Sequence, residues 1–130
     1  MELLLCLVLL ATPAALPVTA LTIVDSEVAE PLKLTRIEGS PVRFAAEWTH
    51  TMPTPGWTFE LDDTSVEDDR LRIDLTAIRP TGMVAQVEAP ARVTIELGSL
   101  PRGRYFLEIR VRRGATQVHR PVFAAVLDAH

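Results

Sequence analysis

Apolar and polar side chains alternate at every second position along most of this chain, and no other feature restricts its fold as strongly. Leu71, Ile73, Leu75 and Ala77 alternate with Arg72, Asp74 and Thr76, which puts one set on one face of an extended segment and the other set on the opposite face. The same period runs through Val42, Phe44, Ala46 and Trp48 against Arg43, Ala45, Glu47 and Thr49, and through Val93, Ile95 and Leu97 against Arg92, Thr94 and Glu96. The longest run sets Tyr105, Leu107, Ile109 and Val111 against Arg104, Glu108, Arg110 and Arg112. Less regular runs at 31–37, 57–61, 83–88 and 118–127 bring the candidate strands to about eight. Turn residues such as Glu38-Gly39-Ser40, Arg79-Pro80-Thr81-Gly82 and Arg113-Gly114 separate them. No segment keeps a helical period over ten or more residues. Many short strands at this spacing predict one all-β domain, a single antiparallel β-sandwich.

The domain is expected to begin at residue 21. Before it, MELLLCLVLLATPAALPVTA has an apolar core at 3–10 and ends in Val18-Thr19-Ala20, the layout of a secretory signal peptide cleaved after Ala20. Its first residues carry Glu2 and neither Lys nor Arg, so the α-amino group alone supplies positive charge there. The apolar run is shorter than the roughly 20 residues a membrane-spanning helix needs, and nothing later is long and apolar enough either. The reading is therefore an exported protein, periplasmic or extracellular, with no transmembrane segment in the mature chain. Cys6 is the single cysteine and follows Leu5 rather than a small residue, which argues against lipidation. Once cleaved, the mature 21–130 domain has no cysteine, so disulfides, thiolate nucleophiles and cysteine-based metal centres are excluded together. The net charge of −4 argues against general nucleic-acid binding.

The phrase LGSLPRGRYFLEIRVRRG, residues 97–114, resembles the corner of immunoglobulin- and fibronectin-like domains, in which a tyrosine hydroxyl ties back to nearby backbone as the chain enters a long core strand. The resemblance implies an Ig-like sandwich and a structural role for Tyr105.

At EWTHTMPTPGWTFEL, residues 47–61, the alternation breaks. Pro53 and Pro55 remove two backbone donors and push Met52 and Thr54 towards extended geometry. Gly56 permits a turn, and Trp57, Phe59 and Leu61 resume a strand face. A loop prestiffened in this way loses less entropy on docking, so Met52, Pro53, Pro55 and Trp57 are candidate contacts. Trp48 and Tyr105 are assigned to the core. An exposed Trp57 should be replaceable by Ala with little change in the melting curve.

From Pro55, PGWTFELDDTSVEDDRLRIDLTAIRPTGMVAQVEAPARVTIEL runs in the order Gly-aromatic, strand, acidic turn, strand, Pro-containing turn and AQVEAP before a further strand. Over these residues, about 55–97, the chain resembles the C-terminal domain of PrcB, an accessory subunit of bacterial protease complexes. It differs in having Trp57 where tyrosine is expected after the glycine, and a plain signal peptide where family members are often lipid-anchored. The resemblance implies a non-catalytic envelope domain whose partner is an envelope or secreted protein, with a protease as the first candidate. It supplies no catalytic residue.

Catalytic chemistry finds little support in the residues. His50, His119 and His130 show no metal-ligand spacing, and His50 reads as a solvated corner residue. Ser26, Ser40, Ser65 and Ser99 sit in turn-like surroundings without a nucleophile elbow. The acidic run from Asp62 to Asp69 lacks the order and central glycine of an EF-hand, so it reads as a solvated hairpin turn, with calcium as the alternative. Arg102, Arg104, Arg110, Arg112, Arg113 and Arg120 share their stretch with one acid, Glu108. Arg104, Arg110 and Arg112 fall on one face by parity and form a second candidate contact, a stripe that could read anions. No cofactor and no metal are expected. Two alternatives to a protein-binding module stay open: a carbohydrate- or surface-polymer-binding domain, and a small secreted hydrolase.

Overall fold

The computed structural model describes residues 18–26 and 31–130. Cys6 and the apolar run at 3–10, and with them most of the signal-peptide reading, lie outside the described residues. Eight strands follow one another: β1 (Leu21–Ser26), β2 (Leu32–Ile37), β3 (Arg43–Met52), β4 (Thr58–Glu67), β5 (Arg70–Ile78), β6 (Ala89–Gly98), β7 (Gly103–Arg112) and β8 (Arg120–Ala129). They form a five-stranded sheet in the order β1-β8-β7-β5-β4 and a three-stranded sheet in the order β2-β3-β6. The two sheets pack into a β-sandwich, as the alternation predicts.

Alternation turns directly into burial. Leu71, Ile73 and Leu75 of β5 and Leu107 and Ile109 of β7 have no exposed surface, and Phe44, Ala46 and Trp48 of β3 face them from the other sheet at 0–1 %. Trp48 bridges the layers, its ring 5.4 Å from that of Phe59 on β4 and tilted by 49°, a geometry aromatic pairs favour. At the corner, Tyr105 is buried and its hydroxyl donates to the Pro101 carbonyl at 2.6 Å. Burial also raises the Tyr105 pKa above its ordinary value.

Three expectations need correction. Residues 83–88 form no strand, and Met83 is fully exposed. Alternation there has no neighbouring backbone to pair with, and an unpaired extended segment is not a strand. The eighth strand is instead β1, an edge strand with a bulge between Ile23 and Asp25 that breaks its period. Second, the acidic run is mostly strand. β4 continues to Glu67, and Glu67 pairs with Arg70 across a hairpin whose loop is Asp68-Asp69. Asp68 takes the left-handed conformation with φ 57°, which Asp tolerates better than most residues. Third, one strand pair departs from an all-antiparallel sandwich: β5 and β7 are parallel. Parallel neighbours need a long crossover, and here β6 supplies it by pairing with β3 in the opposite sheet.

These directions determine where the connections lie. In the larger sheet β5 and β7 run one way and β4 and β8 run back, in the smaller β3 and β6 are opposed, and Gly56 beside Pro80 with His50 and Met52 beside Arg113 put the ends of β3, β5 and β7 together. The connections after β3, β5 and β7 therefore gather at one end of the sandwich. At the N-terminal side, the Thr19 and Ala20 amides both donate to the His130 carbonyl, at 2.9 and 2.8 Å, extending the β1–β8 pairing by a step.

Candidate functional site

The loop-bearing end brings together 53–57, 79–88 and 113–119. Gly56 shows how closely the first two approach. Its φ is +89°, and a Cβ built on it would stand 2.9 Å from Cβ of Pro80, so both conformation and space call for glycine. Beneath the loops is a small apolar cluster of Met52, Ala77 and Ala91, with Trp57, Phe59 and Val111 packed against it.

Met52 is 1 % exposed. It continues the inward face of β3 from Trp48, and as a buried residue it offers no exposed contact, which corrects its placement among the candidates. Pro53 is exposed and Pro55 half-buried. Trp57 is half-buried, and its indole N–H donates to Thr54 Oγ1 at 3.0 Å. The Arg79 and Arg113 guanidinium carbons lie over its ring, 5.7 and 5.4 Å from the centroid, within cation–π range. Trp57 is thus a packed pillar between loops rather than a free aromatic platform.

A groove of about 570 Å³ opens between the end of β3 and the β7–β8 connection, bordered by His50, Met52, Val111, Arg113, Arg120 and Val122 among others. His50 is no solvated corner residue. Its ring stacks on Trp48 at 4.9 Å and 15°. Burial, and then the charge of Arg113, hold its pKa below the ordinary value of 6.5, so the ring is neutral at neutral pH. A smaller recess of about 350 Å³ lies between Trp57, Arg79 and Arg113. Comparison of the chain with protein-family models, curated proteins and solved structures finds no match.

The arginine stripe does not survive as a free surface. Arg110 Nε and an Nη atom both donate to the Asp74 carboxylate at 2.8 Å. Arg112 donates to Thr76 Oγ1 at 2.8 Å and to the Ala115 carbonyl at 3.2 Å, and lies 3.5 Å from Asp62. Arg104 alone stays exposed and forms no ion pair among the described residues. Parity placed the three on one face, but Asp74 and Thr76 of the neighbouring β5 occupy that face too. The Arg110 hydrogen bonds outweigh burial and hold the Asp74 pKa below its ordinary value. Burial alone would raise Asp62, but hydrogen bonds from Thr76 and His119 and the charge of Arg112 bring it below its ordinary value as well.

Asp62 and His119, 2.8 Å apart, are the one carboxylate–histidine contact among the described residues. The Thr76 hydroxyl bonds to Asp62 and not to the imidazole, so Thr76 is not placed for activation by His119. Among the described residues no group of three or more His, Cys, Asp or Glu could hold a metal ion. No helix among them is long and apolar enough to cross a membrane.

Sequence reasoning missed Arg79, Met83 and Val118 as members of the loop end. A signal for them exists, because in a run of antiparallel strands alternate connections emerge at the same end. It becomes usable once the false strand at 83–88 is removed.

Proposed function

We propose that the chain is an exported, non-catalytic accessory module that binds a protein partner through the loop-bearing end of its sandwich. One observation carries the reading. Of the nine large hydrophobic residues exposed among the described residues, five (Ile78, Met83, Val87, Val118 and Val122) belong to this end or to the strand termini entering it. Apolar side chains gathered on loops above a rigid β scaffold are the usual makings of a protein contact surface. Arg79, Arg113 and Trp57, of types enriched in interface centres, lie among them. The resemblance of residues 55–97 to a protease-complex accessory domain supports the same reading and makes an envelope protease the first partner to look for. A glycan platform is favoured less, since the Trp57 ring it would use is already engaged by two guanidinium groups.

The test is a crosslinked pull-down of tagged full-length protein from its native cell envelope, run beside the double variant Met83→Glu, Val118→Glu. Both side chains are exposed, so the variant should fold normally. The expected result is a near-stoichiometric envelope protein captured by the wild type and lost by the variant. Recovery of the tagged chain alone, or equal capture by both, would defeat the proposal.

A further inference from the structure

The groove beside His50 combines apolar lining with two arginines that form no ion pair among the described residues. Met52 is buried and Val111 half-buried beneath it, and Val122 adds apolar surface at its edge. Arg113 and Arg120 border the same space and are both exposed. Arg110 and Arg112 on the adjoining strand β7 lie within ion-pair distance of carboxylates, whereas Arg113 and Arg120 at the groove have no such partner among the described residues. The Arg113 guanidinium is held against Trp57, which positions it without cancelling its charge. Its loop is pinned as well: the Arg113 amide donates to the Gln117 side-chain carbonyl at 3.1 Å, and the Gln117 amide to the Gly114 carbonyl at 3.1 Å. The chain as a whole is acidic, with net charge −4, so two uncompensated guanidiniums at one groove are a local reversal of sign.

We infer that this groove binds the free C-terminal carboxylate of a partner polypeptide, the carboxylate on Arg113 and Arg120 and the terminal apolar side chain against Val111 and Val122. A C-terminus fits both halves of the site, because its carboxylate and its last side chain leave the same Cα. An Asp or Glu side chain would bring the charge without that apolar group, and a free phosphate would leave the apolar lining unused. Guanidinium groups match the planar, two-oxygen geometry of a carboxylate. The neutral His50 ring adds a hydrogen-bonding group to the wall without another charge. The volume lies within the range of small-ligand pockets, enough for the last residues of a chain.

The inference rests on the protein-binding reading but fails separately from it. The measurement is fluorescence polarisation of the full-length protein with amino-terminally labelled hexapeptide pools ending in Val or Leu, each as free acid and as C-terminal amide. The free acids should bind, the amides at least about tenfold more weakly, as expected for loss of a charge-assisted hydrogen bond. Arg120→Gln should weaken free-acid binding by a similar factor, and so should Arg113→Gln. Because Arg113 also touches Trp57, Arg120→Gln is the cleaner variant. Equal binding of acid and amide, no binding of either, indifference to both arginine variants, or equal competition by inorganic phosphate would each overturn the inference. If any of these is found while the Met83/Val118 variant still loses a captured partner, the protein-binding reading stands and the carboxylate site falls.

Discussion

Replacing Trp57 by Ala is the perturbation on which sequence and structure make opposite forecasts. An exposed loop aromatic could be removed at almost no cost to stability. In the folded protein the ring packs on the Met52, Ala77 and Ala91 cluster, receives two guanidinium groups and donates to Thr54. Truncating a fully buried aromatic costs about 3–5 kcal/mol, and half burial scales this to about 2 kcal/mol. Each cation–π contact at a partly exposed site adds about 0.5 kcal/mol. The expected loss is therefore about 3 kcal/mol, a large share of the stability of a small domain. Trp57→Phe keeps an aromatic ring in place and gives up the indole hydrogen bond, so it should lose about 1 kcal/mol. Urea titration followed by circular dichroism measures both, with equal m values as the check that the same transition is compared. A double-mutant cycle with Arg113→Ala then isolates the ring–guanidinium coupling. A Trp57→Ala loss within about 0.5 kcal/mol, or zero coupling to Arg113, would refute the pillar description and return Trp57 to the surface.

Other consequences can be measured on the same protein. Tyr105→Phe removes the donor to the Pro101 carbonyl and should cost about 1 kcal/mol in urea titration; an unchanged midpoint would mean that the corner does not depend on the hydroxyl. Thr64 Oγ1 is buried without a hydrogen-bond partner among the described residues, so Thr64→Val should stabilise the domain by about 1 kcal/mol, and destabilisation would count against that account. The Asp74 pKa is held below its ordinary value of 3.8 by Arg110. Its contribution is therefore fully present above that value and lost as pH falls through the lower folded pKa. Asp74→Asn should destabilise the protein by about 2 kcal/mol at pH 7, since charged hydrogen bonds of this kind contribute about 1.5–3 kcal/mol. The gap to wild type should begin to narrow only below about pH 4 and shrink as pH falls through the lower folded pKa; a gap independent of pH would show that the ion pair is not the cause.

Fold class was legible in the sequence because period-two alternation is a local property. Each buried apolar residue of β5 and β7 sits two positions from the next, and no knowledge of neighbours is needed to see which face it joins. The corner at Tyr105 was legible for a similar reason, since its hydrogen bond closes within four residues. Alternation at 83–88 misled because it is necessary for a half-buried strand and not sufficient. β1 escaped notice because a bulge disrupts its period. The candidate contacts divided in the same way. Trp57 and the proline corner stood out from local chemistry, while the burial of Met52 follows from its place on the inward face of β3.

The sequence by itself determined the all-β class, the inward and outward faces of the long strands and the place of the sharp turn at 53–57. These depend on side-chain order along a few residues, which the chain carries wherever it folds. The tertiary structure decided which strands are neighbours, and with that which charges meet. The parallel β5–β7 pairing puts Asp74 beside Arg110 and Thr76 beside Arg112, turning an apparent anion-binding stripe into an internally paired face. The same topology leaves Arg113 and Arg120 without an ion-paired carboxylate among the described residues. The reason is physical: a charge is neutralised by what lies within a few ångströms of it in space, and the groups that come that close here are separated by 36 residues between Asp74 and Arg110 and by 57 between Asp62 and His119.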